Sequence, residues 1–190
     1  MTNLTKELIR KTFISLLDRY PLTQITVKML VKECDINRNS FYYHYQDLPA
    51  LIEEIVKEEA DRIMKEYPSI ETIDTALYAA TDFASMNRKA ILHIYNSVNR
   101  DIFEQYLWKV CDYLVNSYGE KVLNGKKIND IDREIIGRYY RCVCFGLVID
   151  WLDRKMEDDI RMMIPRFCEL QHGVVEEMLK RAVQSAEQNN

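Results

Sequence analysis

The first glycine of this 190-residue chain is Gly119, and only four others follow it. Loops that cradle phosphates, of the GxGxxG or GxxxxGK(S/T) kind, need clustered glycines so that the backbone can approach the ligand closely. No such cluster exists, which argues against a nucleotide-binding α/β enzyme. Prolines are equally scarce, and Pro21, Pro49, Pro68 and Pro165 stand where helices could begin or end. These two residue types are the least suited to a helix interior. A chain so poor in both, and rich in Glu, Lys, Leu and Ile, is expected to be all-α.

The spacing of apolar residues turns that expectation into about nine helices. Ile9, Phe13, Leu16, Leu17 and Tyr20 recur at helical intervals and predict a first helix over 5–19. Thr26 is a suitable N-cap for a short second helix, with Val27, Leu30 and Val31 on its apolar face and an end near Cys34. Asn37 caps a third helix over 38–45. Asp47 caps a fourth, which has Pro49 in its first turn and stops at Pro68. Further helices are predicted over 72–86, 87–97, 100–118, 131–155 and 157–186, with a polar loop at 119–130. This organisation places a small domain over 1–47 and a helical body over 48–190.

The stretch NRNSFYYHYQDL, residues 37–48, carries four aromatic rings behind a polar start. On a helix, at about 100° per residue, Phe41, His44 and Tyr45 fall on one side with Ser40 beside them. Arg38, Asn39, Tyr42 and Tyr43 occupy the other. One set anchors and the other is presented. Arginine pairs with guanine or phosphate, asparagine with adenine, and tyrosine hydroxyls with phosphate oxygens. The second helix, a tight turn and this third helix make a helix-turn-helix, whose second helix enters the major groove of double-stranded DNA. The helix starts at Thr26 and Asp47 can offer backbone N–H groups to phosphates, and Lys28 adds a cation.

The charge distribution agrees. The whole chain is at −4, yet residues 1–46 hold seven cations against four carboxylates, a net of +3 that leaves −7 on the remainder. A basic head on an acidic body suits a polyanionic partner.

At this point a resemblance becomes specific. The span ITVKMLVKECDINRNSFYYHYQDLPALIEEI resembles the DNA-binding region of the TetR/AcrR family of bacterial transcriptional regulators. NRNSFYYHYQD is most similar to the branch containing the dihydroxyacetone-kinase operon regulators. The resemblance implies that Thr26, Lys28, Asn37, Arg38, Asn39, Ser40, Tyr42, Tyr43 and His44 lie at or near DNA, with Phe41 and Tyr45 holding the helix in place. It covers about 45 residues strongly, on the motif-in-context criterion. The remainder is similar in helix number, length and the segment YYRCVCFGLVIDWLDRKM. One position departs: the family usually has a lysine just inside the fourth helix, where this chain has Leu48.

A single helix-turn-helix reads only a half-site, so a palindromic operator calls for a homodimer whose recognition helices stand about 34 Å apart. Tyr139, Cys142, Phe145, Gly146, Ile149 and Leu152 on one closing helix fall at spacings of three and four. Ile164, Phe167, Leu170, Val174, Val175, Met178 and Leu179 do likewise on the other, and the family pattern implies that these helices pair between protomers. Tyr78, Phe83, His93, Tyr95, Trp108, Tyr139 and Arg141 are candidates to line an effector pocket in the middle helices. A small molecule there would act by preferring one separation of the two heads. A partner protein docking on the body is the alternative effector.

Catalysis finds little support. His44, His93 and His172 are far apart in sequence, and no HExxH occurs. Cys168 and His172 form an i,i+4 pair, but two ligands do not make a metal site. No enzyme activity, cofactor or metal is expected. Neither a run of eighteen apolar residues nor a signal-peptide block is present, and the five cysteines are scattered. A cytoplasmic protein with no membrane partner is the expectation.

Overall fold

The second, third and fourth helices each start at a side-chain cap. The Thr26 hydroxyl accepts from the Met29 N–H at 3.2 Å, the Asn37 Oδ1 from the Ser40 N–H at 2.8 Å, and the Asp47 Oδ1 from the Ala50 N–H at 2.8 Å. All three caps are those expected from the residue types. The computed structural model describes residues 2–66 and 73–188, and every strand-or-helix element there is helical. The helices are α1 (Thr2–Arg19), α2 (Val27–Glu33), α3 (Arg38–His44), α4 (Leu48–Glu66), α5 (Ile73–Met86), α6 (Arg88–Tyr95), α7 (Arg100–Leu123), α8 (Asp130–Asp153), α9 (Ile160–Gln171) and α10 (Val174–Gln188), with a 3-10 turn at Leu22–Gln24.

The chain groups into two units. Residues 1–60 and 87–106 form one, and residues 61–86 and 107–190 form the other. In the first, α1 packs against α2, α3 and α6. Its apolar stripe, Ile9, Phe13, Leu16 and Leu17, is buried with Leu30, Phe41, Leu51, Ile52, Ile91 and Tyr95. Each such side chain contributes about 1.5–3 kcal/mol by leaving water. The short α2 and α3 therefore persist because of this shared core, since helices of seven residues are not stable alone. In the second unit, α5 packs on α8 and α9, and α8 on α10. Leu114, Cys144, Val148, Trp151, Leu152, Ile164 and Leu179 are buried there.

The two largest departures from the pattern-based expectation lie in the C-terminal half. The helix expected to end near 118 continues through Gly119 to Leu123. Leu123 is buried against Tyr140, Val175 and Leu179, with Val122 packed on the same cluster, and this burial outweighs the cost of about 1 kcal/mol for one helical glycine. Asn124 and Gly125, both at positive φ, then end the helix. The long closing helix is broken into α9 and α10 at His172 and Gly173. Gly173 sits at φ +80°, a backbone state that glycine adopts without penalty. Pro165, expected near a helix end, lies inside α9. If α9 and α10 count as one interrupted helix, the expected nine are present among the described residues.

Candidate nucleic-acid interface

Phe41 and Tyr45 are buried beneath α3 and hold it from behind. Their rings stand 5.8 Å apart, and Tyr42 meets the Phe41 ring edge-on at 5.4 Å. The Tyr45 hydroxyl donates to Glu54 Oε1 at 2.7 Å, while Lys6 Nζ pairs with the same carboxylate at 2.6 Å. Burial, then the neighbouring Glu54, raises the Tyr45 phenol, so it remains a donor. For Glu54, burial pushes upward, but hydrogen bonds from Lys6 and Tyr45 leave it below the usual carboxylate value. This three-residue clamp ties α1, α4 and the end of α3 together. Asp35, at φ 51°, supplies the sharp turn between α2 and α3.

The opposite side of α3 is open. Arg38 and Asn39 are exposed, Tyr42 is 52% and Tyr43 75% exposed. Thr26, Lys28 and Asn37 are exposed as well, while Ser40 and His44 are half-buried. Some of these side chains already have local work. Asn37 accepts from both the N–H and, at 3.1 Å, the hydroxyl of Ser40, and His44 sits edge-on to Tyr43 at 5.0 Å. Thr26 and Asn37 therefore shape the helix starts, whatever else they touch.

The cations divide informatively. Lys6 and Arg10 pair with Glu54 and Glu58, Lys11 with Glu7, and Arg19 with Glu33. Among the described residues, Lys28, Lys32 and Arg38 of the same head make no ion pair. All three lie on α2 and α3. Lys32 joins the expected residues of this face, and its place one helical turn after Lys28 is the sequence signal for it.

The expected pocket residues divide between the two units. His93 and Tyr95 belong to the first unit. There His93 Nδ1 lies 2.7 Å from the Leu17 carbonyl, and Tyr95 is buried against Phe103, with the Arg100 guanidinium 4.1 Å from its ring. In the second unit, Arg141 pairs with Asp112 and lies over the Trp108 ring at 5.1 Å, while Tyr139 is exposed. Tyr78 is half-buried, and the side chain of Phe83 lies outside the described residues. Among the described residues the second unit holds cavities of about 80 and 90 Å³, and none of the six candidates with a described side chain lines either. The larger aromatic groups had local packing and charge partners that spacing alone does not reveal.

The apolar stripes of α8, α9 and α10 are likewise divided. Leu152, Ile164, Val175 and Leu179 are buried inside the protomer's own core, and Phe167 and Met178 are half-buried. These are core positions of one chain before they can serve a partner. Ile131, Ile135, Tyr139, Cys142 and Gly146 are exposed on α8, with Phe145 and Ile149 half-buried. On a helical wheel Ile131, Ile135, Tyr139, Cys142, Gly146 and Ile149 share an arc of about 80°, whereas Leu152 falls on the core side. Leu170 and Val174 are exposed at the α9–α10 break. Cys168 is half-buried and His172 exposed, and among the described residues no three His, Cys, Asp or Glu gather as a metal-holding group. No helix there is long and apolar enough to cross a membrane.

Comparison with known proteins adds the family. No curated protein matches the chain. Among solved structures, the "Dihydroxyacetone kinase operon activator DhaS" superposes with a TM-score of 0.71 at 16% identity, over 94% of this chain and 96% of that one. "Salmonella enterica GusR" does so with a TM-score of 0.56 at 16% identity, over 87% and 95% respectively. These likenesses establish the fold. Residues 71–173, more than half of the chain, match the TetR-type family described as "Transcriptional regulator C-terminal region". With an all-helical fold and a helix-turn-helix at its head, the chain belongs to the TetR family of transcriptional regulators.

Proposed function

We propose that the protein acts in the cytoplasm as a homodimer that sets α3 of each protomer into the major groove of a palindromic operator, represses transcription from there, and is released when an effector binds the helical body. One observation carries the DNA-binding face: the three head cations without an ion pair, Lys28, Lys32 and Arg38, all lie on α2 and α3 beside exposed Asn39, Tyr42 and Tyr43. Unpaired cations next to exposed phenols and an amide are the groups that bind phosphates and base edges. The exposed α8 stripe supports the dimer, because contiguous apolar surface on a helical body suits a partner helix.

The test is fluorescence anisotropy with DNA from upstream of the gene, repeated at several salt concentrations. Arg38→Ala is expected to weaken binding roughly tenfold or more, the scale of one bidentate base contact. Lys28→Ala should weaken all sequences alike and reduce the salt slope by about one. Unchanged affinity in both Arg38→Ala and Tyr42→Ala would mean that α3 is not the docking element. A reporter behind the same DNA decides the sign: output that rises when the gene is deleted means repression. Activation, the role in the name of the similar dihydroxyacetone kinase operon activator, gives the opposite change. A protein effector in place of a small molecule is the second reading. Met162 and Met163, exposed side by side on α9, offer such a partner an adaptable apolar contact.

A further inference from the structure

Leu17 stands four residues before Pro21, and proline has no N–H. The helical bond that would close the last turn of α1 onto the Leu17 carbonyl is therefore missing. Leu17 is buried, and a carbonyl kept from water at a helix end needs a partner from outside the helix. His93 of α6 supplies it. Its Nδ1 lies 2.7 Å from the Leu17 oxygen, across 76 positions of sequence. A carbonyl only accepts, so Nδ1 carries the proton and donates. The ring is not there to fill the core: Ala90, Ile91, Ile94 and Tyr95 bury the apolar face of α6, and His93 is half-buried at its edge.

The end of α1 matters because the helix-turn-helix hangs from it. Two residues after Leu17, Arg19 donates through Nη2 to Glu33 Oε1 of α2 at 2.7 Å and through Nε to the Ser15 carbonyl at 3.2 Å. Only the short turn Leu22–Gln24 then separates this end from Thr26, which caps α2. Bonds thus run from α6 through the end of α1 to the helix that carries Lys28 and Lys32, all within the first unit. We infer that His93 is a positioning residue for operator binding: by donating to the Leu17 carbonyl it fixes the end of α1, and with it the placement of α2 and α3, from outside the helix-turn-helix. This role rests on the reading that the head docks on DNA. It makes α6, which the sequence placed in the body, a working part of the head.

Anisotropy on the full chain, with the upstream DNA and with a random duplex of equal length, tests this in His93→Phe and His93→Asn. Phenylalanine keeps a ring and removes the donor. Asparagine sets its amide nitrogen where Nδ1 stood, and the three residues have similar helix propensity. His93→Phe should lose roughly three- to tenfold in affinity for the upstream DNA, the scale of one hydrogen bond. Its salt slope should not change, because no phosphate contact is lost, and binding to the random duplex, which rests on charge, should stay as in the native protein. His93→Asn should bind the upstream DNA within about twofold of native. Native-like operator affinity in His93→Phe overturns the assignment, as does an equal loss in His93→Asn. Equal losses on both duplexes also overturn it, since a partly unfolded head weakens all binding alike. Failure of the native protein to prefer the upstream DNA overturns the regulator reading, and hydrogen exchange then decides the placement of α2 by itself. Faster exchange of the α2 amides in His93→Phe, but not in His93→Asn, supports the positioning by His93, and equal exchange in all three proteins overturns it.

Discussion

Leu48 is the first residue of α4, half-buried, at a helix start capped by Asp47. Pro49 has no N–H and the Ala50 N–H is spent on Asp47, so of the first three residues of that turn only Leu48 has an N–H left to meet a phosphate, and the position supplies no cation. Leu48→Lys is therefore expected to tighten operator binding and to steepen the plot of log affinity against log salt by about one unit. No steepening would place the α4 start away from the DNA backbone. Tyr42 and Tyr43 each meet one neighbouring ring yet keep half or more of their surface in water, and a wet, amphipathic contact explains that exposure better than the core does. Asn37 illustrates the reverse, since its amide oxygen is already committed to Ser40.

At the scale of elements, α3 is held by neighbours rather than by its own length. The clamp of Lys6, Glu54 and Tyr45 joins it to α1 and α4, and it makes a prediction about pH. Glu54 has a folded value below its unfolded one, so its contribution to stability is present in full above the ordinary carboxylate range. That contribution is lost as the pH falls through the lowered folded value. Urea unfolding of the native protein and Glu54→Gln, followed from neutral pH to about pH 3, should show the native protein more stable at neutrality and the two converging in acid. Parallel curves would show that the clamp adds no pH-dependent stability. The break between α9 and α10 belongs to the same scale, because the left-handed backbone at Gly173 ends one helix and begins another.

At the scale of the whole molecule, the proposed dimer turns on the α8 stripe. Gly146 is exposed, and a Cβ built there meets nothing within 4 Å in its own chain. Gly146→Arg should thus leave the protomer folded and act only on a partner. If α8 pairs across the dimer, the buried unpaired charge weakens association roughly a hundredfold or more, seen as monomers in sedimentation velocity. Circular dichroism and melting should stay close to native. An unaltered dimer would move the interface elsewhere.

The sequence by itself determined the all-helical class, the three caps at Thr26, Asn37 and Asp47, and the split of α3 into a buried and a presented side. These depend on neighbours within a few positions, through capping hydrogen bonds and helical periodicity, and such local terms can be read from a string of letters. Tertiary structure alone decided which stripe residues were already spent inside the protomer, as with Leu152 and Val175. It also decided that Arg141 was taken by Asp112 and Trp108, that α7 would run past Gly119, and that Tyr140 would be the phenol left without a partner. Burial and partner choice are set by contacts between residues far apart in sequence, and periodicity along one helix carries no information about what stands opposite it.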